Sequence, residues 1–276
     1  MLKIGEFNDL TALRKTSVGI FLGIGDDNDV LLPNRYVTPE MKIGDNIKVF
    51  IYTDSEDRLV ATTETPKVTV GHFAFLKVKD SSRMGAFLDW GLPKDLFVPS
   101  GEQKHPMKPG NSYVVFVYLD EQSNRLVGSS RISEFLDNTD VAFANNEAVD
   151  LFIYEKTDLG YNAIINDYFK GLVYNNEIFK PIAIGTRIGG FIKQIREDKA
   201  IDLSLQPLGF QNLEESAEQL LQYLQKNKGF LALTDNSSPD DIYSTLQMSK
   251  KTFKRGIGIL YKQKRIALKE NGIQLL

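Results

Sequence analysis

Up to residue 207 the chain sets short segments rich in β-branched and aromatic residues, such as Lys48–Tyr52 and Tyr113–Tyr118, between turn-forming clusters at Gly25–Asn28, Asp54–Asp57 and Gly91–Lys94. That pattern predicts short β-strands. Further on the period changes. Glu214–Lys226 carries Leu220, Leu221 and Leu224 at helical spacing, and Gly229 is placed to end that helix. Phe230–Thr234 reads as a short apolar strand. Ser238-Pro239-Asp240-Asp241 is a helix start: Ser caps, Pro takes the first helical position, and the two Asp face the positive end of the dipole. Ile242 and Leu246 then form a buried stripe. Gln247-Met248 makes a tight break, and Ser249 caps a third helix running to about Gln263, with Phe253, Ile257 and Leu260 inward. Ile266–Lys269, Asn271-Gly272 and Ile273–Leu276 spell a hairpin with a type I′ turn. Helix, strand, helix, tight turn, helix and hairpin is the order of a winged helix-turn-helix.

An internal repeat organises the earlier part. At an offset of 66, Gly19-Ile20-Phe21-Leu22 falls on Gly85-Ala86-Phe87-Leu88 and Leu32-Pro33 on Val98-Pro99. At the same offset Val49-Phe50-Ile51-Tyr52-Thr53-Asp54 falls on Val115-Phe116-Val117-Tyr118-Leu119-Asp120. A weaker third copy follows at an offset of 75, where Gly85 meets Gly160, Gly110 meets Gly185 and Ser129 meets Ser204. The period is too long for a solenoid, so the copies read as small domains. About five short strands fit each one, the size of a small closed barrel such as the OB-fold. The expected class is mainly β with α: three tandem barrels at residues 1–65, 66–132 and 147–207, then a winged helix at 213–276. Residues 132–148 read as a linker with a short helix, and Gln206–Asn212, with Pro207 and Gly209, ends the third barrel.

Charge sharpens this picture. The net charge of the whole chain is -3, but residues 228–276 hold nine Lys and Arg against four Asp and Glu, a net +5. The remainder holds 24 against 32, a net −8. Ser249–Arg265 has seven Lys and Arg and no acidic residue. On a helical projection Lys251, Lys254, Arg255, Lys262 and Arg265 oppose the apolar stripe, and Gly258 lies among them, where backbone could approach a phosphate. Lys250 belongs to the same run.

Other chemistries find little support. Cysteine is absent, which excludes disulfides, Cys-ligated zinc and thiol catalysis. His72 and His105 are the only histidines and form no metal or triad pattern. Asp26-Asp27 with Asp29 reads as an acidic hairpin tip, and Gly23-x-Gly25 lacks the rest of a dinucleotide fingerprint. No apolar run reaches the ~18 residues of a membrane span, and Met1–Glu6 has no signal-like core. The expectation is a cytoplasmic protein that is not an enzyme, with no catalytic residue, no metal site, no cofactor, no membrane contact and no small-molecule substrate.

Gly85-Ala86-Phe87-Leu88, Leu96-Phe97-Val98 and Asp120…Arg125-Leu126 resemble the ribosomal S1-type RNA-binding domain, which is an OB-fold. Three such copies before a winged helix resemble the conserved virulence factor B family of bacterial RNA-binding regulators. Asp89–Asp95 and Gly229–Ile242 carry most of that likeness. S1-type domains present two exposed aromatics, a His and a late Asp…Arg pair. The resemblance places the second aromatic at Phe21 and Phe87, and at Asn162 in the third copy. The first falls on Val18, Met84 and Leu159, and the His on Pro33, Pro99 and Tyr174. The acid–base pair falls on Asp54/Arg58 and Asp120/Arg125; the third copy has Ile195 and Ala200 there, with Arg196 and Lys199 adjacent.

Single-stranded nucleic acid is held by bases stacked on aromatic rings and by a cationic track for phosphates. Phe87 reads either as a stacking platform or as a barrel-core residue. Tyr161 and Tyr174 read either as platforms or as ordinary tyrosines, and Trp90 as packing. The expected function is post-transcriptional regulation by non-catalytic binding of single-stranded RNA. The alternatives are a DNA-binding transcriptional regulator whose barrels engage a protein partner, and a metal-dependent nuclease.

Overall fold

The computed structural model describes residues 2–24, 29–178, 181–207 and 210–276, with residues 210–215 described by backbone alone. The predicted turn at Gly25–Asn28, with Asp26 and Asp27, and the linker residues Leu208 and Gly209 lie outside the described residues. The chain forms two compact units, one up to Leu136 and one from Asp137 onward.

In the first unit β1 (Phe7–Lys15), β2 (Gly19–Gly23), β3 (Val30–Pro33), β4 (Asn46–Thr53) and β5 (Leu59–Thr62) close into a barrel, in the order β1-β2-β3-β5-β4. Only the β3–β5 pairing is parallel. The strands β6 (Phe73–Ser81), β7 (Gly85–Asp89), β8 (Leu96–Pro99), β9 (Ser112–Asp120) and β10 (Arg125–Ser129) repeat the same closed order. In the second unit β11 (Ala148–Lys156), β12 (Gly160–Ile165), β13 (Phe169–Tyr174), β14 (Arg187–Ile195) and β15 (Ile201–Ser204) repeat it again.

The glycines that superpose in the repeat have a steric cause. A Cβ on Gly19, Gly85 or Gly160 would stand 2.0, 2.3 or 2.0 Å from the carbonyl oxygen of Leu32, Val98 or Val173 on the neighbouring strand. Only a residue without a side chain lets those strands pair at the start of β2, β7 and β12. A 3-10 turn follows β3, β8 and β13 at Asn34–Tyr36, Ser100–Glu102 and Asn175–Glu177, at the same offsets.

Strand β4 does not alternate. Val49, Phe50, Ile51 and Tyr52 are all buried, because both faces of the strand are covered. Val49 and Ile51 fill the first barrel, while Phe50 and Tyr52 join the core of the second. Trp90, 3% exposed, meets Phe50 edge-on at 5.8 Å and Tyr52 at 6.3 Å between ring centres. Its Nε1–H donates to the Lys94 carbonyl at 2.6 Å. Trp90 is therefore packing, and it fuses the first two barrels. The equivalent outward pair of β9, Phe116 and Tyr118, is covered instead by Phe135, whose ring stacks on Phe116 at 4.3 Å.

The short helix expected in the linker is a single 3-10 turn and not an α-helix. A 3-10 turn spans Ile132–Phe135, after which the chain is irregular up to β11. Its apolar residues divide: Phe135 covers the second barrel, whereas Val141 and Phe143 pack on the third. Serving two barrels excludes the single amphipathic stripe that a helix would need.

In the C-terminal segment, α1 (Phe210–Lys226), β16 (Phe230–Leu231), α2 (Pro239–Leu246), α3 (Lys250–Lys262), β17 (Ile266–Lys269) and β18 (Gly272–Leu275) make a winged helix with sheet order β16-β18-β17. Helix α1 begins four residues before its apolar stripe predicts. Strand β16 is shorter than predicted, because its partner β18 ends at Gly272, just past the Leu231–Ile273 pair. The hairpin is not type I′. Lys269 pairs with Gly272, so its loop is Glu270-Asn271, and neither has the positive φ that such a turn demands. Gly272 serves clearance, since a Cβ there would stand 2.4 Å from the Leu231 carbonyl oxygen.

Trp90→Ala should remove about 3–5 kcal/mol of stability from the first unit, as expected for a buried aromatic cut to Ala. Chemical denaturation followed by circular dichroism measures this, since Trp90 is the only tryptophan and fluorescence would be lost with it.

Candidate nucleic-acid interface

The basic face of the winged helix is set by caps at the starts of α2 and α3. Ser238 accepts the Asp241 N–H at 3.1 Å at the start of α2, and Gln247 ends that helix in a left-handed conformation. Ser249 then accepts the Thr252 N–H at 3.0 Å and starts α3. The inward face of α3 buries Phe253, Gly256, Ile257 and Leu260. Gly256 lets the two helices close up, because a Cβ would stand 2.6 Å from the Leu220 Cδ1 methyl of α1 and would have to displace it.

That anchoring turns the cations outward. Lys251, Lys254, Arg255 and Lys262 are exposed on α3, and Arg265 is exposed just beyond it. Lys254 reaches Asp235 at 4.0 Å, and Lys250 donates to the Asn236 carbonyl at 3.4 Å. Lys251, Arg255, Lys262 and Arg265 form no ion pair among the described residues. Within the same unit, a cleft of about 720 Å³ places Lys250, Lys251 and Arg255 opposite Asn175 and Lys193 of the third barrel. Lys193 is held by Glu177 at 2.6 Å.

The third-barrel candidates do not line that cleft. Arg196 pairs with the buried Asp202 at 2.9 Å, donates to the Tyr174 hydroxyl, and its guanidinium lies 5.8 Å from the Tyr174 ring centre. The Asp202 hydrogen bond also raises the guanidinium pKa, so the cation is fixed in place beside an aromatic ring. Tyr161 is half-buried against the barrel core, with the Lys156 ammonium 5.8 Å from its ring centre. Lys199 sits at the β14–β15 hairpin in a left-handed conformation. Asn162, at the position of Phe87, donates to Glu155 at 2.8 Å.

In the first barrel the Arg14 guanidinium stacks over Phe21 at 4.1 Å and pairs with Asp29. Asp54 and Arg58 are joined at 2.7 Å. Asp54 also accepts the Glu56 and Arg58 backbone N–H groups, so this pair staples its own hairpin. The corresponding pair in the second barrel is split. Asp120 and Arg125 face each other across β9–β10, yet Asp120 accepts from Ser123 while Arg125 reaches Asp57 of the first barrel. The fused barrels bring the Asp54–Arg58 hairpin within reach, and its carboxylate outcompetes the local one.

Phe87 is half-buried and pairs across β7–β8 with Phe97, ring centres 5.2 Å apart. Together with Met84, Trp90, Lys94, Arg125 and Asp57, these rings line a cleft of about 320 Å³. Lys94 also holds Asp57, at 3.3 Å, and donates to the Asp54 carbonyl at 2.7 Å. Sequence reasoning misses Phe97, Lys94 and Asp57 as members of this group. The alternation of β8 marks Phe97 as the outward residue between buried Leu96 and Val98, but the approach of Asp57 comes from another repeat and has no local signal. Desolvation works to raise the Asp57 pKa, but the hydrogen bonds from Arg125 and Lys94 prevail and hold it below the usual aspartate range. Among the described residues no cluster of three His, Cys, Asp or Glu side chains could hold a metal ion.

Residues 4–64 and 70–130, the first two barrels, match the model of the S1 domain, and residues 218–275 match that of the CvfB-like winged helix domain. The chain is 29% identical over 279 residues to Uncharacterized protein YitL of Bacillus subtilis, covering 98% of this chain and 93% of that one. It is 28% identical over 244 residues to Conserved virulence factor B of Staphylococcus aureus strain N315, covering 86% of this chain and 81% of that one. A crystal structure described as a multidomain protein with nucleic acid binding domains, from Streptococcus pneumoniae TIGR4, aligns with 99% of this chain and 98% of its own at 25% identity, with a TM-score of 0.43.

The depressed Asp57 pKa has a defined sign. The pairing stabilises the folded unit fully above the ordinary aspartate pKa of about 3.9, and that contribution is lost as the pH falls through the lower folded value. Carbon-13 NMR should show Asp57 titrating below ordinary aspartates in the wild type. In an Arg125→Ala, Lys94→Ala double variant it should titrate higher, back toward the ordinary range.

Proposed function

This chain belongs to the conserved virulence factor B family, with S1-type barrels and a C-terminal winged helix, and we propose that it binds single-stranded RNA without chemistry, as a post-transcriptional regulator. The observation that carries this reading is the set of cations on α3 that have no ion pair among the described residues: Lys251, Arg255 and Lys262, with Arg265 beyond its end. Exposed cations without carboxylate partners are free to neutralise phosphates and release counterions. In the first unit the corresponding charges are already committed, since Arg14, Arg58 and Arg125 all rest on carboxylates.

That contrast supports a division of labour. Residues from about 147 to 276 form the main RNA-binding half, with Tyr174 and Arg196 of the third barrel as further contacts outside the cleft that faces the basic helix. The first two barrels extend the surface through the Phe87–Phe97 shelf or engage a protein partner. Bound RNA would then change in stability or in access to translation. In the duplex-DNA reading, α3 enters a major groove as a recognition helix does. Competition between a single-stranded RNA and a DNA duplex separates the two readings.

Lys251→Glu with Arg255→Glu should leave the winged helix folded, because both side chains point away from Phe253, Ile257 and Leu260. The double variant should bind single-stranded RNA more weakly. Its log–log salt slope should fall by roughly 1.4, about 0.7 for each phosphate of a single strand that is no longer neutralised. Fluorescence anisotropy at several salt concentrations measures both, and a variant that melts and binds like wild type would show α3 to be only a solvated face.

A further inference from the structure

We propose that Gly258 and Tyr261 form a base-stacking notch in the basic face of α3, through which the winged helix takes nucleobases of a single strand as well as its phosphates. This rests on the reading of α3 as the nucleic-acid face and goes beyond it, because it names how that face tells a single strand from a duplex.

The two glycines of α3 differ in kind. Gly256 has a packing cause, as its Cβ would displace the Leu220 Cδ1 methyl. Gly258 has no such cause: an added Cβ would find nothing within 4 Å, and the helix geometry there needs no positive φ. Glycine is among the poorest helix formers, and mid-helix it gives up stability that alanine would supply. Among the described residues nothing accounts for the bare backbone at residue 258, whereas a ligand approaching that backbone does.

What stands around the gap identifies the ligand. At about 100° per residue, Lys251, Lys254 and Lys262 project within roughly 40° of the Gly258 direction, and Arg255 and Tyr261 within roughly 60°, on opposite sides. Tyr261 is 56% exposed. Its ring joins no aromatic or cation–ring pair, and its hydroxyl makes no hydrogen bond, among the described residues. Residue 261 lies about 4.5 Å along the axis from residue 258, so the ring borders the gap directly. A flat aromatic wall, an open backbone floor and a surround of cations suit a splayed-out base with its flanking phosphates. A duplex keeps its bases stacked on each other and offers the ring nothing to stack on.

The test uses the full-length chain, a single-stranded RNA of about a dozen nucleotides, long enough for such a site, and a duplex of the same sequence. Tyr261→Ala should weaken single-strand binding about 5- to 100-fold, the loss of one stacked base, with an unchanged salt slope because stacking releases no counterion. Duplex binding should not move. Tyr261→Phe should keep wild-type affinity, since the ring and not the hydroxyl does the stacking. Gly258→Leu should melt no lower than wild type, having open space to occupy, yet bind the single strand more weakly. If Tyr261→Ala or Gly258→Leu binds the single strand as wild type does, the notch is disproved. The same holds if Tyr261→Ala weakens duplex and single strand alike or lowers the salt slope. The two readings fail separately. A Lys251→Glu, Arg255→Glu variant that binds normally removes the basic face itself. A double variant that binds weakly beside an unaffected Tyr261→Ala removes only the notch.

Discussion

The first unit depends on giving a strand buried on both faces a second cover. Phe50 and Tyr52 project outward from β4 and cannot be left in water, so they are roofed by Trp90 of the next barrel. At about 25 cal/mol per Å² of apolar surface removed from water, burying three large aromatics is among the strongest drives the unit has. The same residue types recur on β9 as Phe116 and Tyr118, where Phe135 of the following 3-10 turn closes them off. In the third copy the position of Tyr118 is Lys193, which pairs with Glu177 and needs no roof. The repeat thus carries one structural demand that is met in two ways and then, at the tyrosine position, relieved.

Electrostatics follows from that packing. Fusing the first two barrels brings the Asp54–Arg58 hairpin over the Phe87–Phe97 shelf, and Asp57 takes both Arg125 and Lys94. The aromatic cleft of the second barrel is left with its cations engaged. The winged helix has the reverse balance. Two of its acidic residues, Asp240 and Asp241, lie in the first turn of α2, where Ser238 bonds to Asp241, while α3 turns its lysines and arginines outward. A chain of net negative charge thereby keeps one concentrated positive face.

Beside the turn glycines with a left-handed backbone, two further kinds of glycine occur in this protein. Gly19, Gly85, Gly160, Gly256 and Gly272 stand where another backbone or side chain comes too near for a Cβ. Gly258 stands in the open. The two kinds look alike in the amino-acid order, and only the distances around each one separate a packing requirement from room left for a ligand.

Much of the architecture could be read directly. The 66- and 75-residue offsets marked three equivalent barrels, because each must repeat the same clearances and turns. The caps at Ser238 and Ser249 and the stripe of Phe253, Ile257 and Leu260 placed α2 and α3, because helix starts and amphipathic faces are local signals. The position and sign of the basic face were legible for the same reason. Contacts between separate repeats were not. Arg125 and Asp120 are five residues apart and look like a pair, but Arg125 belongs to Asp57, 68 residues away, since the roofed aromatics bring that hairpin closer than any local signal suggests. The type I′ turn failed because strand register, set by Leu231 and Ile273 pairing across the sheet, moved the loop one residue back from Asn271-Gly272. Local chemistry determined which elements form; long-range packing decided which charges remain free to meet a ligand.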